Sequence, residues 1–163
     1  MRKTMRTKPM YACFLGMFVV LNAQGVQASD EPSVHKRSDG VMIVTLTQTP
    51  CLFLESEENP QVYTSTKSAD CVEINRKTAT QRTFKLLRLK PGQYIFRVTN
   101  KNVPYELGFW VRGQGVGRLT LPSVSGGGLL TGATQDYNIT LAKGNYYYSC
   151  PLNPTPNYPL VVE

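Results

Sequence analysis

Along the chain, apolar and polar positions alternate in short runs separated by turn residues. From Val41 to Thr49 the pattern is two-residue and β-branched, with Met42, Val44 and Leu46 on one face, which predicts a first strand. Phe84 to Lys90 leads into the turn Pro91-Gly92, and Tyr94, Ile95, Phe96 and Val98 then form a strand rich in large residues. Asn100 to Asn102 is a polar turn before another extended run, Pro104 to Arg112. Glycines thicken beyond Gly113 and cluster at Gly126-Gly127-Gly128, where the chain must turn or lie close to something else. Tyr137, Ile139 and Leu141 alternate with polar neighbours; Ala142-Lys143-Gly144 turns the chain into Tyr146 to Cys150, and Pro159 to Val162 is a last apolar strand.

Two stretches break this rhythm. Residues 29–40 are polar and without period, which reads as a flexible lead. Glu55 to Gln81 is also polar, within an insert spanning residues 50–83, and its Glu57-Glu58 pair is expected to face solvent. No window of ten or more residues downstream of the N-terminal segment carries a clean helical stripe. The expected architecture is an all-β sandwich of about seven strands, antiparallel or mixed.

The N-terminus changes the picture of where the protein works. Arg2, Lys3, Arg6 and Lys8 precede an apolar stretch from Met10 to Leu21 and the small-residue site Val26-Gln27-Ala28, the order of a cleavable signal peptide over residues 1–28. That apolar stretch is well short of the roughly 20 residues needed to cross a bilayer. Export to the periplasm is expected. Removal leaves 135 of 163 residues and takes Cys13 with it. Four cations leave too, so 14 basic residues face 11 acidic ones, too mild and too scattered an excess for nucleic acid. Cys51, Cys71 and Cys150 remain, and oxidation is expected to pair Cys51 with Cys71 across the insert, the alternative being Cys51 with Cys150. The first bond would close a loop with a stabilisation of about 3 kcal/mol.

The candidate chemistry is sparse. One histidine, His35, remains and falls in the lead, so hydrolytic Ser/His/Asp or Cys/His catalysis is not expected and the protein is read as a non-enzyme. Cys150 ends a strand bearing Tyr146 and Tyr148; it is either a soft thiolate ligand or a buried small hydrophobe. Glu106, beside Tyr105 and Trp110, is a ligand candidate or a solvent-facing strand end. The tyrosines at 105, 137, 146, 147, 148 and 158 read as sheet packing rather than an electron path. Asn138-Ile139-Thr140 matches a glycosylation acceptor by coincidence within a strand.

KPGQYIFRVTNKNVPYELGFWVRG (Lys90 to Gly113) and LAKGNYYYSCPLNPTPNYPLVV (Leu141 to Val162) resemble the cupredoxin superfamily. The resemblance covers most of 41–163 and implies a Greek-key β-sandwich. Where that family offers its first imidazole stands Tyr105 or a neighbour; Asn153 stands at the second, and Tyr158, Pro159 and Leu160 surround the methionine position. A blue-copper centre needs two imidazoles and a thiolate. The chain is more similar to cupredoxin-like domains of the EfeO type, which imply Cys51, Glu106 and Cys150 as metal ligands. The function so implied is to bind or pass a metal ion, copper, at a non-blue site including Cys150, with a periplasmic or membrane-bound metal-handling or redox protein as partner. The competing expectation is a metal-free interaction module presenting Gly115 to Gly132.

Overall fold

The computed structural model describes residues 32–163. The expected signal peptide, its cleavage after Ala28 and Cys13 lie outside the described residues. Two mixed sheets face each other. The first has the order β1-β2-β5-β8 (Ser33–Lys36, Met42–Thr49, Gly92–Asn100, Thr134–Leu141), with the short β3 (Leu52–Phe53) sharing the β1 edge of β2. The second has the order β4-β10-β9-β6-β7 (Leu87–Leu89, Tyr158–Val162, Gly144–Ser149, Leu107–Gly113, Val124–Leu129). Pairs β2·β5 and β4·β10 are parallel; the remaining pairs are antiparallel.

The alternation read for β2 and β8, with the large residues read for β5, sets the core. Val44 and Leu46 of β2, Tyr94, Phe96 and Val98 of β5, and Tyr137, Ile139 and Leu141 of β8 all face inward and are buried. From the second sheet come Phe109, Val111, Tyr146, Tyr148, Tyr158 and Leu160. Phe53 meets Phe109, Tyr148 and Tyr158 edge-on, with ring centroids 5.8, 5.7 and 5.7 Å apart, the arrangement that aromatic quadrupoles favour. Tyr137, Tyr146, Tyr148 and Tyr158 are thus packing residues, as their alternation suggests.

Among the described residues ten strands stand where about seven were expected, the additions being β1, β3 and β7. Strand β1 lies in the segment read as a lead. Its residues are all exposed, so no apolar period marks it; what forms it is the free backbone edge of β2, which it pairs from Ser33↔Thr45 to Lys36↔Met42. Strand β7 runs through the glycine cluster because of a close approach. A Cβ on Gly108 of β6 would sit 2.4 Å from the Gly126 carbonyl oxygen. The register shifts between Leu107 and Phe109 at this point.

The polar insert holds a helix, α1 (Ser68–Thr78), rather than loop alone. Asp70 in its first turn accepts hydrogen bonds from Thr66 N (2.8 Å), Lys67 N (3.1 Å) and Thr66 Oγ1, which cap the helix and hold its carboxyl below the usual range. Only Cys71 of this helix is buried. The helix is fastened by a disulfide to Cys51, Cα–Cα 4.9 Å, rather than by an apolar stripe.

Glu57, expected to face water, is 2% exposed. Its carboxylate pairs with Arg82, itself buried, and accepts a 2.6 Å hydrogen bond from Tyr158 Oη. Arg82 also reaches Asn75 of α1 and the Cys51 carbonyl. A buried carboxylate needs such a partner, and here the partner comes from the far end of the insert.

Candidate functional site

The groups expected to make a site lie at one end of the sandwich, where β2 and β5 finish and β6 begins. Two polar residues there sit on the inward phase of their strands: Gln48, two positions beyond Leu46, and Asn100, two beyond Val98. Both are fully buried. Asn100 Nδ2 donates to the carbonyls of Val103, Tyr105 and Leu129, and its Oδ1 accepts from Val103 N. This one amide fixes the loop that presents Tyr105. Gln48 Nε2 donates to Gly108 O at 2.8 Å. Neither residue was singled out from the sequence, yet a polar residue on the inward phase at a strand end is a legible signal.

Cys150, just beyond β9, is 1% exposed and is the free cysteine among the described residues. Gly108 N (3.4 Å) and Asn153 N (3.2 Å) donate to its sulfur. Burial pushes the thiol up; the peptide N–H groups of Gly108, Asn153 and Leu152 and the Gln48 amide offset part of that rise.

Asn153 is fully buried and makes the centre of a second network. Its Nδ2 donates to Thr49 O (3.1 Å); its Oδ1 accepts from Cys51 N and Tyr105 Oη, both at 3.1 Å, and lies 3.1 Å from Cys71 Sγ. Tyr105 Oη in turn pairs with Ser65 Oγ at 3.1 Å. Burial raises the Tyr105 phenol, with Ser65 opposing. Tyr105 and Asn153, the residues standing where the resemblance puts imidazoles, are therefore bonded to each other over the disulfide.

The expected ligand set is only partly assembled. Cys150 is at the site, but the Cys51 sulfur is bound to Cys71 and is not a thiolate. The Cys51–Cys71 pairing is the expected one; the Cys51 ligand role is corrected by it. Glu106 is exposed, and its Oε1 accepts from Gly128 N at 2.7 Å, which turns the carboxylate toward β7. His35 is exposed on β1. Among the described residues, no group of three or more His, Cys, Asp and Glu is placed to hold a metal ion. One buried thiol, two amides and a phenol do not fit a divalent copper centre.

Among the described residues, two buried oxygens near the thiol have no hydrogen-bond partner, Gln48 Oε1 and Tyr137 Oη. Burial, and the nearby Cys150, push the Tyr137 phenol up to about 12. Protein-family models scanned against the chain produce no match, and neither do the curated proteins.

Proposed function

We propose that the chain is an exported, cupredoxin-like Greek-key sandwich working as a metal-free interaction module in a periplasmic assembly, with Gly115 to Gly132 as its contact surface. The observation that carries this reading is the Tyr105–Asn153 hydrogen bond over the Cys51–Cys71 disulfide, which fills with fixed side chains the end of the sandwich where a metal would sit. Gly115 to Gly132 contributes Val116 and Leu119 as exposed apolar residues at one end of the sandwich, and Leu130 at the other. A second reading, in which Cys150 binds or passes a copper ion, draws on the two N–H groups aimed at its sulfur and on the unpartnered Gln48 Oε1.

One titration separates the two. The mature protein, disulfide intact, is mixed anaerobically with the Cu(I) complex of a chromophoric chelator. The expected result is that the chelator keeps its copper, equally with the parent and with Cys150→Ser. Transfer of one equivalent to the parent, lost in Cys150→Ser, overturns the metal-free reading in favour of a thiolate copper site.

A further inference from the structure

The opposite end of the sandwich is unlike the sealed end just described. Two turns there are pinned in the same way: Tyr94 Oη donates to Lys90 O (2.9 Å), and Tyr146 Oη donates to Ala142 O (2.8 Å). Against them lies a 3-10 turn, Gly115–Leu119, held by Gln114 N to Asn145 O (2.8 Å). On this turn Val116 and Leu119 are 87% and 89% exposed. Arg118, between them, stands 5.6 Å from the centroid of Trp110, and Arg112 stacks on the same indole at 4.1 Å.

The charge at this end that lacks an opposite partner has one sign. No Asp or Glu occurs from Leu107 to Gln135. Lys90, Arg118 and Lys143 have no carboxylate partner among the described residues, whereas Asp39 and Glu163, the acids near this end, are each paired, with Arg37 and Arg88. Protein interfaces bury a contiguous apolar core within a mixed polar rim. Val116 and Leu119, three apart on a 3-10 turn, share one face; so small an apolar tip, at an end whose cations lack carboxylate partners, instead matches a surface of apolar depth and anionic headgroups. Among the described residues no helix is long and apolar enough to span a membrane, so any lipid contact by helix would be at the surface.

We propose that this end docks reversibly on an anionic lipid surface, with Val116 and Leu119 entering the headgroup–acyl boundary and Arg118, Lys143 and Lys90 meeting lipid phosphates. The proposal rests on reading Gly115 to Gly132 as the contact surface and gives that surface its partner. Trp110, the one tryptophan of the chain, touches Arg118 and serves as the reporter.

The mature protein is sedimented with vesicles of phosphatidylcholine alone and of phosphatidylcholine with phosphatidylglycerol. Binding to the anionic vesicles is expected, weakened by salt and accompanied by a blue shift of Trp110 emission. The double variant Val116→Asp with Leu119→Asp should bind at least about tenfold more weakly with an unchanged melting temperature, since both side chains are already in water. Val62→Asp, at a 99% exposed position of the insert near the sealed end, should bind like the parent. Equal binding to neutral vesicles, or undiminished binding by the double variant, overturns the proposal. A photo-crosslinker at position 119 of the exported protein supplies the other arm. No vesicle binding with one protein trapped at a defined mass overturns the lipid partner but keeps the contact surface; no vesicle binding and no crosslink overturns both.

Discussion

At the scale of single residues, Cys51 does three things. The two-residue turn between β2 and β3 puts Pro50 at the first corner, where its fixed φ fits, and Cys51 at the second with φ +68°, a position that favours glycine or asparagine. The conformation is held from outside: the N–H goes to Asn153, the sulfur to Cys71 and the carbonyl to Arg82. Glu57 is as strongly over-determined, by Arg82 and Tyr158. Glu57→Gln leaves a guanidinium buried without its counter-charge, so a loss of about 3–5 kcal/mol is expected from urea unfolding. A loss under about 1 kcal/mol would mean that the pair is reached by water. Cys51 was half legible and the burial of Glu57 was not legible at all. The cysteine pairing followed from the insert it closes, but the burial of Glu57 depends on an arginine 25 positions away and on a tyrosine 101 positions away, and no local period records either.

At the scale of elements, period was a reliable guide where the core does the holding and a poor one elsewhere. Strands β2 and β8 were read from the alternating face that they bury, β5 from its run of large residues and β9 from the turn before it. Helix α1 buries one residue, strand β1 none, and their stability comes from a covalent bond and a sheet edge respectively. For the same reason the candidate site was legible in its residue types, Cys150, Tyr105 and Asn153, but not in its connections: the disulfide that removes Cys51 as a ligand also gives Asn153 and Tyr105 something to close over. Cys71→Ser is expected to cost on the order of 3 kcal/mol by the loop-entropy account. Because α1 has so little apolar contact, the effect should be local first, with limited proteolysis cutting within residues 55–83 before the sandwich unfolds. Uniform resistance of that segment in the variant would show that the Arg82 network alone holds it.

At the scale of the whole molecule, the sandwich is organised around buried phenols and one buried thiol. Burial raises Cys150, Tyr137, Tyr148 and Tyr158. Groups of this kind ionise first in the unfolded chain, near pH 8.5 for the thiol and about 10 for the phenols. Their contribution to stability is complete below those values and is lost as pH climbs through the folded-state values, about 12 for Tyr137. The urea midpoint should therefore hold to about pH 8.5 and fall steadily above it, while absorbance at 295 nm shows native phenolate formation lagging that of the denatured chain. A midpoint flat to pH 11, or native and denatured titrations that coincide, would contradict this.

The order of the three described cysteines along the chain also bears on how the right bond is made. A polypeptide emerges from its N-terminus, and Cys51 and Cys71, 20 positions apart, are both free of the machinery that makes or moves it while Cys150 is still to come. On the proposed export route, with residues 1–28 and Cys13 removed, an oxidant meeting the growing chain finds a single pair to join. When Cys150 appears, its competitors are already joined to each other, and the turn that follows it folds back so that Asn153 N and Gly108 N meet its sulfur and bury it. An odd thiol that would be a hazard to a chain oxidised all at once is made harmless by arriving last.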